Sequence, residues 1–148
     1  MTPEIEAAHR ALRGLLLHDG LPENHKADIT TAGEAFLGVL SAFFRNVMEY
    51  AFTGHEPAAQ VHAYLEDLKR CYPSELHSLE PARMALFVLE QIGPGAPPPG
   101  QTRLLVGSDV FTPMSLLTLY TAKQEGLAGE RLELYLFGAT ARYYEGEL

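Results

Sequence analysis

The chain has 148 residues, 47% of them hydrophobic and 20% charged, with 19 acidic side chains against 11 basic ones. That length and apolar content predict a single domain over 1–148 that folds without disulfides or a structural metal, and they exclude a disordered acidic tail. The formal charge of −8 is split evenly, −4 in residues 1–74 and −4 in residues 75–148, which argues against nucleic acid as a partner. Binding phosphates needs clustered Lys and Arg.

Thr2 before Pro3 is a helix start, because a threonine hydroxyl caps free N–H groups and proline lacks only a donor that the first turn leaves unused. Ile5, Ala8, Leu12, Leu15 and Leu16 recur at three- and four-residue steps, and Gly20-Leu21-Pro22 is a stop. The first helix is therefore expected over 3–18. Pro22 to Thr30 is polar and reads as a connection with room for one helical turn. Thr31 and Glu34 have the spacing of a capping box, which places the start of a second helix there. Its apolar residues, from Phe36 and Leu37 through Phe43, Phe44 and Met48 to Phe52, cover most of the circumference. A helix apolar all round is contacted from several sides, so this one is expected at the centre.

A third helix is expected from near Pro57 to Cys71, with Val61, Leu65, Leu68 and Tyr72 inward. A fourth runs from about Leu79 to Ile92, with Ala82, Leu86, Val88 and Leu89 inward. Residues 93–100 hold four prolines and three glycines, a connector that sustains neither helix nor central strand. After it, Thr112-Pro113 opens a helix that Gly126-Leu127 closes. Residues 130–144 favour a helix with Leu132, Leu136, Ala139 and Tyr143 on one face, although the alternation in 131–137 also suits a strand. The expected fold is all-α: a bundle of five or six helices around a central second helix, ending in a helical pair after the connector. The alternative is α+β, with short strands near 103–107 and 131–137.

No membrane partner is expected. The most apolar stretch, Ala35 to Phe44, is ten residues long and ends at Arg45, whereas about twenty are needed to span a bilayer. The first residues lack the basic-then-apolar order of a secretory signal. Cys71 is the single cysteine, consistent with a reducing cytoplasm. Its spacing from Leu68 places it near the inner face of its helix, as an inert thiol.

Few patterns carry chemistry. Glu6 and His9 form one Glu/His pair of the di-iron bundle type, but such sites use the pair twice, and His9 reads as solvent-exposed. His62 and Glu66 lie four apart on the third helix, and with His55 nearby they are the candidate metal ligands. The chain has no HExxH, CxxC, EF-hand loop, phosphate loop, dinucleotide fingerprint or serine elbow. Val106-Gly107-Ser108-Asp109 reads as a turn. Arg13-Gly14-Leu15-Leu16-Leu17-His18 resembles, in the spacing of Arg13 and His18, the pair used by HEPN-type helical ribonucleases. The resemblance covers six residues, has Gly14 where those proteins often carry a polar residue, and lies in the first helix rather than a late one. Its plain reading is Arg13 on the surface and His18 near a helix end.

Partner binding has the stronger support. Tyr135, Phe137, Tyr143 and Tyr144 crowd the last segment with Arg131 and Arg142 among them, and Tyr and Arg are favoured at interfaces. As a helix, this segment sets 132/136/143 on one face and 134/137/144 on another. The expectation is a non-enzymatic cytoplasmic protein acting through a protein partner or homo-oligomerisation. The alternative is a helical small-molecule or metal-binding protein, or an enzyme, using His and Glu side chains, with the ligand or cofactor unidentified.

Overall fold

The computed structural model describes residues 2–14, 26–74, 76–93 and 111–147. They form seven helices: α1 Pro3–Leu12, α2 Lys26–Ala32, α3 Glu34–Ala51, α4 Ala58–Cys71, α5 Pro81–Ile92, α6 Phe111–Gln124 and α7 Glu130–Glu147. No strand occurs among the described residues, and the fold is all-α. The expected strand near 103–107 lies outside them, as do Leu15 to Gly20 and Pro94 to Gly100. The alternative strand at 131–137 is overturned: those residues lie within α7.

α1 begins as expected, with Thr2 Oγ1 accepting from the Ile5 N–H at 3.2 Å. Glu4 and Glu6 lie in its first turn and His9 and Arg10 in its last, each favoured there by the helix dipole. Ala7, Ala8 and Ala11 are fully buried beside Ile5 and Leu12. These small side chains let neighbouring backbones come close, and α1 packs on α2, α3 and α7.

The Thr31 capping box does not form. Thr31 is an exposed residue inside α2, and the chain breaks at Gly33, whose φ of +56° suits glycine. The Phe36 N–H then returns to Gly33 O at 3.2 Å, opening α3. α2 and α3 meet at 96°. A turn at Gly33 explains the extra helix: residues read as a connection become α2, which folds back beside α1. No single helix among the described residues is long and apolar enough to cross a membrane.

α3 is central, as its pattern implied. At about 1.5 Å per residue its 18 residues extend roughly 27 Å. Phe36, Val39, Leu40, Phe43, Phe44, Val47 and Met48 are buried on it, facing α1, α5, α6 and α7. Beyond Phe52, the Glu56 carboxylate accepts from the Thr53 and Gly54 N–H groups, both at 2.9 Å. These bonds hold the Glu56 carboxyl below the usual range despite an opposing effect of desolvation, the largest single cause.

α4 buries Val61, Leu65 and Leu68 as expected. The expected inward placement of Cys71 is overturned: its thiol is exposed. Cys71 is the last residue of α4, and Tyr72, half-buried against Tyr120 of α6, continues the inner stripe instead. The turn into α5 buries Leu76 and Leu79, and Lys69 Nζ donates to Leu79 O at 2.7 Å. α5 is rotated relative to expectation. Ala85, Val88 and Gln91 are buried, while Ala82 is exposed and Leu86 is 63% exposed. The cause is Phe87, whose ring packs on Phe44 at 5.4 Å between centroids and turns its chain neighbour Leu86 outward.

α6 ends as Gly126-Leu127 implied, with the Leu127 N–H donating to Ala122 O at 2.8 Å. Tyr64 of α4 donates to the Glu125 carboxylate at 2.9 Å. Burial and then that bond raise its phenol above its ordinary range. α7 buries Leu132, Leu136, Ala139, Thr140 and Tyr143 against α3 and α1.

Candidate functional site

The groove between α1 and α7 gathers the most chemistry. His9 sits one turn beyond Ile5 and faces α7, where Thr140 lies one turn beyond Leu136. His9 Nδ1 and Thr140 Oγ1 are 2.7 Å apart, and the Thr140 hydroxyl is also 3.0 Å from Leu136 O. Arg13, one turn on from His9, pairs with Glu133 at 3.0 Å. Phe137 stands edge-on to the His9 ring, 6.4 Å between centroids at 87°.

Two depressions flank this pair of rings. One, about 400 Å³, has His9, Arg13, Glu133, Leu136 and Phe137 in its walls. The other, about 220 Å³, is walled by Glu6, His9, Arg10, Phe137 and Thr140. Leu134 and Phe137 rise beside the larger one, 67% and 61% exposed. Burial first, and then the charge of Arg13, hold His9 below its ordinary value of 6.5, against an upward pull from Glu133. The ring is thus neutral at pH 7, able to give one hydrogen bond and accept another.

The six residues expected at an interface do not share one surface. Phe137 and Arg131 are exposed. Tyr135 is half-buried, its ring edge-on to Tyr50 at 5.9 Å. Arg142 is drawn to α3, where its Nη1 meets Asn46 Oδ1 and the Glu49 carboxylate, the latter at 2.9 Å. Tyr143 is 7% exposed and its ring lies over Gly38, while Tyr144 packs half-buried against the core. Of the expected partition of α7, the 132/136/143 face is buried and Leu134 and Phe137 are exposed, but Tyr144, expected on the outer face, packs against the core.

Of the three expected metal ligands, His62 Nε2 meets Glu66 Oε1 at 3.0 Å. His55 is exposed in the turn before α4, where its N–H donates to Thr53 Oγ1. Among the described residues, no three His, Cys, Asp or Glu side chains converge as a metal would need. Arg13 of the Arg13/His18 pair is engaged by Glu133, and His18 lies outside the described residues.

Sequence reasoning missed Thr140 and Glu133, and its placement of His9 in solvent is overturned: the ring is half-buried against Thr140. His9 follows Ile5 by four and precedes Leu12 by three, so it borders the buried stripe rather than opposing it. Thr140 likewise follows Leu136 by four. Those intervals were the available signal. The partner helix, 131 residues away for the His9 bond, was not in the pattern. Comparison with protein-family profiles, curated proteins and solved structures finds no match to this chain.

Proposed function

We propose that this protein works by association, and that the α1–α7 face pairs with the same face of a second copy. The observation that carries the reading is the exposure of Leu134 and Phe137, one turn apart on α7 beside the cleft. Isolated exposed apolar side chains are ordinary, whereas adjoining ones beside a concavity mark contact surfaces.

Charge supports a second copy as the occupant. Around these two side chains the clefts gather Arg10 and Arg13 against Glu6, Glu130 and Glu133. Two positive charges against three negative leave this face near −1, so most of the net −8 of the chain lies elsewhere on the molecule. Copies meeting through this face keep their more acidic surfaces apart, and under twofold symmetry any Arg–Glu pair formed across the contact forms twice. Covering the exposed parts of four such side chains is worth about 4–8 kcal/mol. Association costs a similar amount, so the pair is reversible and concentration-dependent. The exposed thiol of Cys71 fits a reducing compartment such as the cytoplasm.

Sedimentation velocity over a dilution series tests this. Wild type should pass from dimer to monomer on dilution, and Leu134→Ser with Phe137→Ser should be monomeric throughout with an unchanged helical spectrum. A monomeric wild type at every concentration refutes the reading, as does a dimer indifferent to the two substitutions.

A further inference from the structure

Thr140 decides which nitrogen of His9 carries the proton. Its hydroxyl is 1% exposed as a residue and lies between Leu136 O at 3.0 Å and His9 Nδ1 at 2.7 Å. A carbonyl oxygen only accepts, so the hydroxyl proton goes to Leu136 O. Thr140 Oγ1 must then accept from His9, which requires Nδ1–H. The reverse arrangement would leave two oxygen lone pairs facing each other 3.0 Å apart, away from water. In a neutral ring with Nδ1–H, Nε2 holds the lone pair. Among the described residues Nε2 has no hydrogen-bond partner.

His9 lines both depressions, and the larger wall sets three apolar and three charged side chains beside it. The 400 Å³ cleft offers Phe137, Leu134 and Leu136 beside the His9 ring. Charged groups reach the two depressions from both helices, Glu6, Arg10 and Arg13 from α1 and Glu130 and Glu133 from α7. Both arginines are engaged, Arg13 by Glu133 and Arg10 by Asp28 at 3.1 Å. An anion would meet the Nε2 lone pair and gain no donor from it. A neutral ligand with an O–H donor on a flat ring satisfies both the acceptor and the exposed Phe137 edge.

We propose that this cleft is a binding site for a small phenolic ligand, its hydroxyl donating to His9 Nε2 and its ring lying against Phe137 and Leu134. The site lies within one chain but uses the Leu134 and Phe137 surface that pairing would cover, so ligand and second copy compete for it, and the site is tested on the monomer.

Nitrogen-15 spectra of the histidine rings read the tautomer directly. The full chain, diluted until monomeric, should show His9 protonated at Nδ1 and bare at Nε2, and Thr140→Val should mix the two forms. Titration with p-cresol at about pH 8, where the ring is neutral, should shift His9 and Phe137 signals saturably. The methyl ether of p-cresol has the same ring without the donor and should bind about tenfold more weakly, one hydrogen bond's worth. His9→Asn keeps a donor for Thr140 and removes Nε2, and should bring p-cresol down to the level of its ether. A proton on Nε2, equal binding of p-cresol and its ether, or no saturable binding overturns the proposal. A monomeric wild type that still discriminates the two compounds refutes only the pairing.

Discussion

Replacing Gly38 by alanine probes the approach of α7 to α3 at its tightest point. In a helix free of neighbours the change gains about 1 kcal/mol, because alanine loses less backbone entropy than glycine. In α3 the new methyl would lie 2.5 Å from Tyr143 Cζ and 2.7 Å from Cδ1, with Cε1 closer still. The ring is 7% exposed and belongs to the core, so it has no open space to retreat into. Either Tyr143 leaves its rotamer or α7 moves off α3. Overpacking of this severity costs about 2–4 kcal/mol, at and beyond the upper end of the usual range, which leaves a net loss of about 1–3 kcal/mol after the propensity gain.

Gly138 on α7 is the internal control. A methyl there meets Asn46 Nδ2 at 3.8 Å, an ordinary contact, so Gly138→Ala should stabilise by about 0.5–1 kcal/mol. Urea unfolding followed by circular dichroism measures both, and the two midpoints should move in opposite directions. In a Tyr143→Ala background the collision is gone, and Gly38→Ala should become favourable. Midpoints that move the same way in wild type, or a Gly38→Ala cost that persists without the ring, would refute this account of the packing.

Asn46→Ala should cost about 1–2 kcal/mol in the same assay, because the side chain donates to Tyr135 O at 3.1 Å and accepts from Arg142; a neutral effect would show that these bonds do not anchor α7. Because His9 is held below its ordinary value of 6.5, the unfolded chain binds a proton there before the folded one does. Its contribution is therefore full above that value and lost as pH falls through the folded value; Tm against pH should slope less steeply there in His9→Asn, and an unchanged slope counts against the burial of the ring. Cys71 should react with a maleimide in the native protein as fast as in urea, without loss of helical signal; protection in the native state would place the end of α4 in the core.

The helices were legible where sequence periodicity met a single packing surface. α4 is such a case: Val61, Leu65 and Leu68 point inward because α4 has one apolar side to hide. α5 was legible in extent but not in rotation. Phe87 and Leu86 are chain neighbours of similar apolarity, and only the position of Phe44 on another helix decides which is buried. The break at Gly33 was hidden for a related reason. A glycine inside an apolar-periodic stretch reads as tolerated, while its φ of +56° follows from α2 folding against α1. The α1–α7 site was legible only in part. Its outer apolar residues follow from helical spacing within α7, but the bond from His9 to Thr140 joins helices at opposite ends of the chain.

The same rule that placed α3 at the centre bears on α7. A helix with apolar side chains on more than one side asks for more than one neighbour. α3 finds its neighbours within the chain, with α1, α5, α6 and α7 around it. α7 buries Leu132, Leu136, Ala139 and Tyr143 against α3 and α1, yet Leu134 and Phe137 extend its apolar surface past that contact. Leu86 on α5, at 63%, lies between the two in exposure, but it is flanked by no second exposed large apolar side chain on its helix and borders neither cleft. A lone leucine is an ordinary surface residue, whereas the α7 pair adjoins a concavity and a ring of nearly balanced charge. Substituting Leu86→Ser should therefore leave the sedimentation of the chain unchanged over the same dilution series. If Leu86→Ser abolishes pairing while Leu134→Ser and Phe137→Ser do not, the contact lies on α5, and the inference from charge balance fails with it.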